Sequence, residues 1–486
     1  MKKRSLWICA TVALGFATAL AGCGKTNYFA GRALPPSGLT NRVLIAIQNP
    51  SAFSRGTLAF VDAYYDIRDG FNGKPSNFSI SGYSAALPIT IQNMPEETLG
   101  AVYGSGDGSL DVIDYSKEST TGGTTGLNGL SSSIFVTRNQ AYIFAADQGA
   151  HVLTVIDHVS GGSYPLSLPG VYRVSVNPGG SMAIAFVQNS NYAYYPRKLS
   201  AAQTTAFSGG PSTWPQAAVD CEPQNIPGWC LFQAQSPDHI DATGNYYGAP
   251  LVFDRPVKAV FSSDGGTAYV LNCGPECGGA KASVTPLPVA PMIYLIGQQS
   301  GTLPTNSTLT TSTIATPGGA SNALVDISTL YVLGQQPQTV LGQTLFAGEL
   351  TVVNLSTNKA GNPIAVSDGA PGALTRMLLA DDNTLWIAMT KCTNGVRAAT
   401  GLPDGCLTMF NTSSNTVTTI LPYIGDATGI ASVTGFHKVY SAQGGQVYIN
   451  STVDGTTIDN QYVTVTGTAY DVAYMDGLSD GNNTVY

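Results

Sequence analysis

The residues best suited to chemistry in this chain are its cysteines. There are eight in 486 residues. Cys9 and Cys23 lie near the start, and the other six fall into close sequential pairs: Cys221 and Cys230, Cys273 and Cys277, Cys392 and Cys406. Six cysteines allow fifteen connectivities. Sequential pairing is the simplest, because each pair then brackets one loop, and disulfides of this kind need an oxidising compartment. A metal centre is the weaker reading. Cys273 and Cys277 have a C-x3-C spacing, but no histidine or second cysteine pair lies near them in sequence. The four histidines, His151, His158, His239 and His437, include no H-x-x-x-H pair. No phosphate-binding loop, nucleophile elbow or haem-attachment motif occurs. Gly104 to Ser109 resembles an acidic calcium loop, but holds one carboxylate where such a loop needs several oxygens. It sits where a hairpin turn is due, as does Asp381-Asp382. No metal and no cofactor is expected.

The setting of Cys23 differs from that of the others. Lys2, Lys3 and Arg4 form a positive head, Leu6 to Leu20 is an apolar run, and Leu20, Ala21, Gly22 and Cys23 follow. Head, short apolar core and small residues before a cleavage point mark a secretory signal, and the run is short for a membrane span. The Leu-Ala-Gly-Cys string resembles the lipobox of bacterial lipoproteins. The resemblance implies removal of residues 1–22, lipidation of Cys23 and attachment to the membrane through that lipid. Gly24, where an aspartate would stand in inner-membrane lipoproteins, favours the outer membrane under the proteobacterial scheme. Residues 23–40 read as a lipidated, flexible tether rich in Gly, Pro, Ser and Asn.

Composition narrows the function classes. Without residues 1–22 the chain keeps 19 Lys and Arg against 30 Asp and Glu. Such an acidic chain disfavours a nucleic-acid partner, which wants a basic stripe. Only 11% of residues are charged, and Gly is abundant at 55, as in extracellular all-β proteins with many tight turns.

The elements that position these residues come from a repeat. Its most legible unit is a strand ending in an acid or amide: Leu58–Asp62, Leu110–Asp114, Leu153–Asp157, Leu350–Asn354 and Leu407–Asn411. Fainter copies stand at Tyr192–Pro196, Met292–Ile296 and Val447–Asn450. A second strand precedes each, from Val43–Ile47 to Lys438–Ser441, and a first strand precedes that, from Leu87–Gln92 to Ile430–Val433. Turn formers such as Ser263-Asp-Gly-Gly266 separate the first and second strands; Asp-Gly supplies the positive φ of a tight hairpin. Nothing before Val43 reads as a first strand, whereas Ala469–Met475, followed by Asp476-Gly477, does. A C-terminal strand that completes the N-terminal blade would close a ring and remove an exposed sheet edge. The expected fold is therefore all-β: residues 41–486 form a single β-propeller of eight blades, with seven as the alternative. Tyr269-Val-Leu-Asn272, after the Asp-Gly-Gly turn, resembles the YVTN-type propeller repeat of surface-layer and secreted proteins, and Leu330–Leu333 is similar. That resemblance implies a propeller outside the cytoplasm and no particular activity.

One insertion breaks the period at residues 199–255. It carries Trp214, Trp229, His239, Asp241, Tyr246 and Tyr247 beside the Cys221/Cys230 pair. Aromatics beside carboxylates can stack on and hydrogen-bond a sugar ring, so these are candidate ligand-binding residues. The competing reading makes them a small core for the insertion itself. Two function classes follow. The leading one is a cell-envelope-anchored binding or scaffold module that recruits a glycan or protein partner through its loops. The alternative is a secreted propeller enzyme, lactonase-like or lyase-like, with its site at the central channel. Convergent acids and bases in the channel would favour the second; Ser, Gly and apolar lining would count against it.

Overall fold

The computed structural model describes residues 34–477, apart from 50–53, 67–77, 95, 128, 216, 224–227, 236–238, 241–245, 248, 290–311, 341, 368–372, 393–403 and 422–424. Cys23, Asp241 and the faint copy at Met292–Ile296 lie outside them. The described chain forms eight antiparallel sheets arranged as the blades of a β-propeller, with a two-residue ladder pairing His239–Ile240 with Tyr246–Tyr247 besides.

Within each blade the first strand is innermost. It lies at Pro88–Asn93, Ile134–Val136, Val171–Val176, Pro256–Phe261, Asn322–Asp326, Ala373–Ala380 and Ala427–Val433 in blades two to eight. Blade one takes its innermost strand from the other end of the chain: Thr468–Tyr474 pairs antiparallel with Arg42–Gln48, which pairs with Thr57–Asp62. The ring thus closes as the repeat predicts. Blade five departs from the expected register. Its third strand is Ser283–Pro288, not the copy farther along, and it pairs with Thr267–Asn272. Ser283–Pro288 was missed because two prolines interrupt its apolar run.

The second strands read as continuous apolar runs because both of their faces are buried. Val43, Leu44, Ile45 and Ala46 are each 0% exposed. The reason is radial stacking: every blade is covered on both sides by a neighbour. The buried apolar side chains of the described residues divide into eight clusters, and each cluster joins one pair of adjacent blades. Eight seams for eight blades leave no open edge, and they decide against the seven-bladed alternative.

The strand-ending acids and amides bond the turns that follow. Asp62 accepts from the Tyr64 amide, Asp114 from those of Ser116 and Lys117, and Asn411 from those of Ser413 and Ser414. The three expected disulfides are formed as sequential pairs. Closure is fixed by charge as well. Arg42, fully buried, donates to Asp476 at 2.7 Å and to Glu118 at 2.7 Å. Glu118 also accepts from the Ser37 amide at 2.9 Å, so the last residues of the expected tether lie against the ring.

Candidate functional site

Five innermost strands carry a bulge near their start, at the same place against the second strand: blades two, four, five, seven and eight. The closing strand shifts register at the equivalent point. Bulges re-aim side chains and are common near functional sites. The residue just after the shift is Thr90, Arg173, Lys258, Arg376, Gly429 or Asp471. Asn322 occupies the same station in blade six, opposite Leu333, and Ser133 in blade three, where its carbonyl accepts from the Ala146 amide. Eight structurally equivalent residues, one per blade, therefore form a tier around the channel.

This tier is strongly polar and uneven in charge. Blades four, five and seven contribute cations, blade one an acid, and blades two and three hydroxyls. Most of these residues are half-buried. Arg376 reaches past blade eight to pair with Asp471. It can do so because blade eight places Gly429 at its station. A Cβ there would stand 2.4 Å from Asp471 Oδ1 and 2.7 Å from its Cα. Asp471 also accepts from the Ile91 amide at 2.8 Å, tying blade one to blade two. Burial pushes its carboxyl up to about 6 despite the Arg376 guanidinium.

The other two cations have no such partner. Lys258 Nζ donates to Asn322 Oδ1 at 2.8 Å. Arg173 Nη1 donates to the Ser321 carbonyl at 3.4 Å, and its guanidinium lies 5.9 Å from the Tyr172 ring centre. Both side chains thus reach the same Ser321-Asn322 dipeptide. Among the described residues, no carboxylate forms an ion pair with either. Burial and the nearby charges of Arg173 and Arg376 depress the Lys258 ammonium to about 7. Burial lowers Arg173 as well. Two neighbouring cations with no carboxylate paired to them among the described residues have the electrostatics of an anion site.

A second acid stands on the face where the innermost strands begin. Glu276, inside the Cys273–Cys277 loop, accepts from the Gln335 amide at 3.0 Å, and burial pushes it up to about 7. It fastens the loop of blade five against blade six.

Of the residues singled out in the insertion, the side chains of Trp214 and Trp229 can be placed. Two strands of the insertion extend blade four: Trp229–Gln233 pairs with Ala193–Lys198, and Ala218–Glu222 pairs outside it. Cys221 and Cys230 are direct cross-strand neighbours there. Trp229 is buried. Its indole donates to Asp157 Oδ2 at 3.2 Å and meets Tyr142 and Phe144 edge-on. Trp214 is half-buried, donates to the Phe207 carbonyl at 3.1 Å and packs on the seam between blades four and five. His239 pairs with Tyr247 and Ile240 with Tyr246 in the short ladder. Gly104–Ser109 is the hairpin end expected of it: Asp107 accepts from the Ser109 and Ala86 amides. Among the described residues, no three His, Cys, Asp or Glu side chains gather to hold a metal ion, and no helix is long and apolar enough to cross a membrane.

Comparison with known proteins finds structural matches at low identity and no sequence match. No family model matches the sequence, and no curated protein matches it. Solved structures do align with it at low identity. The dihydro-heme d1 dehydrogenase NirN matches at 10% identity and a TM-score of 0.48, over 92% of this chain and 80% of that one. Kuenenia stuttgartiensis hydrazine synthase matches at 12% and 0.45, over 76% and 96%. The Cps50 (Swd1) β-propeller domain of Myceliophteria thermophila matches at 10% and 0.38, over 80% and 93%.

Proposed function

We propose that this protein is a binding module, tethered to the outer membrane or cell surface by lipid on Cys23, whose propeller takes a small anionic ligand in its central channel. One observation carries the reading: Arg173 and Lys258, on adjacent blades, converge on the channel with no carboxylate paired to them among the described residues. An uncompensated charge in a confined site costs free energy unless a counter-charge is supplied. A carboxylate or phosphate would supply it, and the arginine fork favours planar, bidentate anions. The propeller's loops are where a glycan or protein partner would be recruited. The lipobox and the YVTN-like strings support the envelope setting.

A channel-sited enzyme, lactonase-like or lyase-like, is the second reading. It is favoured by one specific feature, the convergence of cations and Asp471 on a single tier.

Calorimetric titration with oxalate and with inorganic phosphate tests the binding reading. Saturable binding to the wild type, weakened in Arg173→Ala, is the expected result. Absence of binding to both anions at pH 6 would refute it. The anchor is tested separately by metabolic labelling with palmitate, which Cys23→Ser should abolish.

A further inference from the structure

We propose that Lys258 is a nucleophile that captures a small 2-oxo carboxylate in the channel as a reversible imine. The proposal deepens the anion-binding reading and rests on it.

The argument begins with what Lys258 touches. Other described lysines that form ion pairs each meet an aspartate: Lys117 with Asp114, Lys198 with Asp157, Lys438 with Asp66. Lys258 instead meets a neutral amide oxygen, Asn322 Oδ1, which accepts one N–H and donates nothing back. The charged groups around it are Arg173 from blade four and Arg376 from blade seven. Asp471, the one acid of the tier, is engaged by Arg376. Blade six offers only the neutral Asn322. Burial and the two neighbouring guanidinium groups therefore disfavour the ammonium, and with the group held at about 7 a large fraction is free amine at neutral pH. A lysine beside fixed cations in a desolvated site is the arrangement that activates an amine toward carbonyl carbon.

The same cations select the substrate class. An anion held on the Arg173 fork brings its neighbouring atoms to Lys258, because both side chains converge on Ser321-Asn322. A carbonyl directly attached to the carboxylate is then the group presented to the amine. The amine lone pair forms the N–C bond, and the carbonyl π pair moves to oxygen. That oxygen takes a proton from the adduct nitrogen, giving a carbinolamine. A second proton, from water, lets the hydroxyl leave as water, and the nitrogen lone pair closes the protonated imine. No oxidant or reductant is consumed.

The test incubates the protein lacking its signal with pyruvate and sodium borohydride, then maps the reduced adduct by peptide mass spectrometry. The expected result is a single modified site at Lys258. It should form faster as the pH rises through about 7, be suppressed by oxalate and be lost in Lys258→Arg. If oxalate binds but no adduct forms on Lys258, the imine is refuted and the anion site stands. Adducts spread evenly over surface lysines would also refute it. If oxalate does not bind at all, the anion reading falls, and this proposal with it.

Discussion

At the scale of single residues, the tier makes two predictions. Arg173 and its anion would share charge-assisted hydrogen bonds worth about 1.5–3 kcal/mol. Arg173→Ala should therefore weaken oxalate binding by at least about tenfold, read by calorimetry. The second concerns pH. Lys258 is protonated below about 7 and adds a positive charge to the site there. Oxalate should therefore bind more tightly at pH 6 than at pH 8.5, and Lys258→Met should flatten the difference. The same depression has an opposite sign for stability. From about pH 7 up to the ordinary 10.5, the unfolded chain binds a proton at this lysine that the folded chain does not, so its contribution to folding grows as the pH rises. These residues were illegible one at a time. Arg173, Lys258 and Arg376 are isolated basic residues in strands with no shared motif, and only the ring brings them to one level. The aromatics at Trp214 and Trp229 gave the louder signal, because they cluster in sequence. Trp229 instead fills the seam between blades three and four.

At the scale of elements, the strands were legible because second strands buried on both faces must be continuously apolar. The outer strands were not. Ser119–Thr120 and Ile314–Ala315 are two residues long and largely held by backbone pairing, which leaves no side-chain period to read. The bulges were equally hidden, since a one-residue shift against a partner strand has no composition. Their consequence is testable at Gly429. Gly429→Ala forces a methyl against Asp471, including its backbone at 2.7 Å. The cost should be about 1–3 kcal/mol, seen as a lower urea midpoint, and the Arg376–Asp471 pair should be disturbed with it. The disulfides act on loops of different length. Cys392–Cys406 spans 14 positions between the second and third strands of blade seven. Its removal in the double alanine variant should cost about 3 kcal/mol, more than the loss of Cys273–Cys277, which spans only 4.

At the scale of the whole molecule, stability depends on one closure. Seven blades are each built largely from neighbouring sequence, so each can form its own sheet. Blade one cannot, because its innermost strand arrives from residues 468–474. Where that strand ends, Asp476 accepts from the Arg42 amide at 2.7 Å as well as from its guanidinium. This joins the chain's two ends by backbone, by charge and by the adjoining apolar seams at once. Arg42 is 0% exposed, so the pair cannot fall back on water if broken. Asp476→Ala removes one of the two carboxylates that face the buried guanidinium, and removal of one partner from a buried pair costs about 3–5 kcal/mol. The variant should unfold at a markedly lower urea concentration. A surface control, Lys359→Ala, should change stability by no more than about 0.5 kcal/mol. The decisive comparison is the triple variant Arg42→Met/Glu118→Gln/Asp476→Leu, which removes all three buried charges together. Neutral side chains of similar volume carry no charge-desolvation cost, so it should recover much of what Asp476→Ala loses. If instead the triple variant is as unstable as the single one, the charges themselves fix the register of the closing strand. It would then also expose the edge of Arg42–Gln48 and aggregate, which light scattering during refolding would reveal.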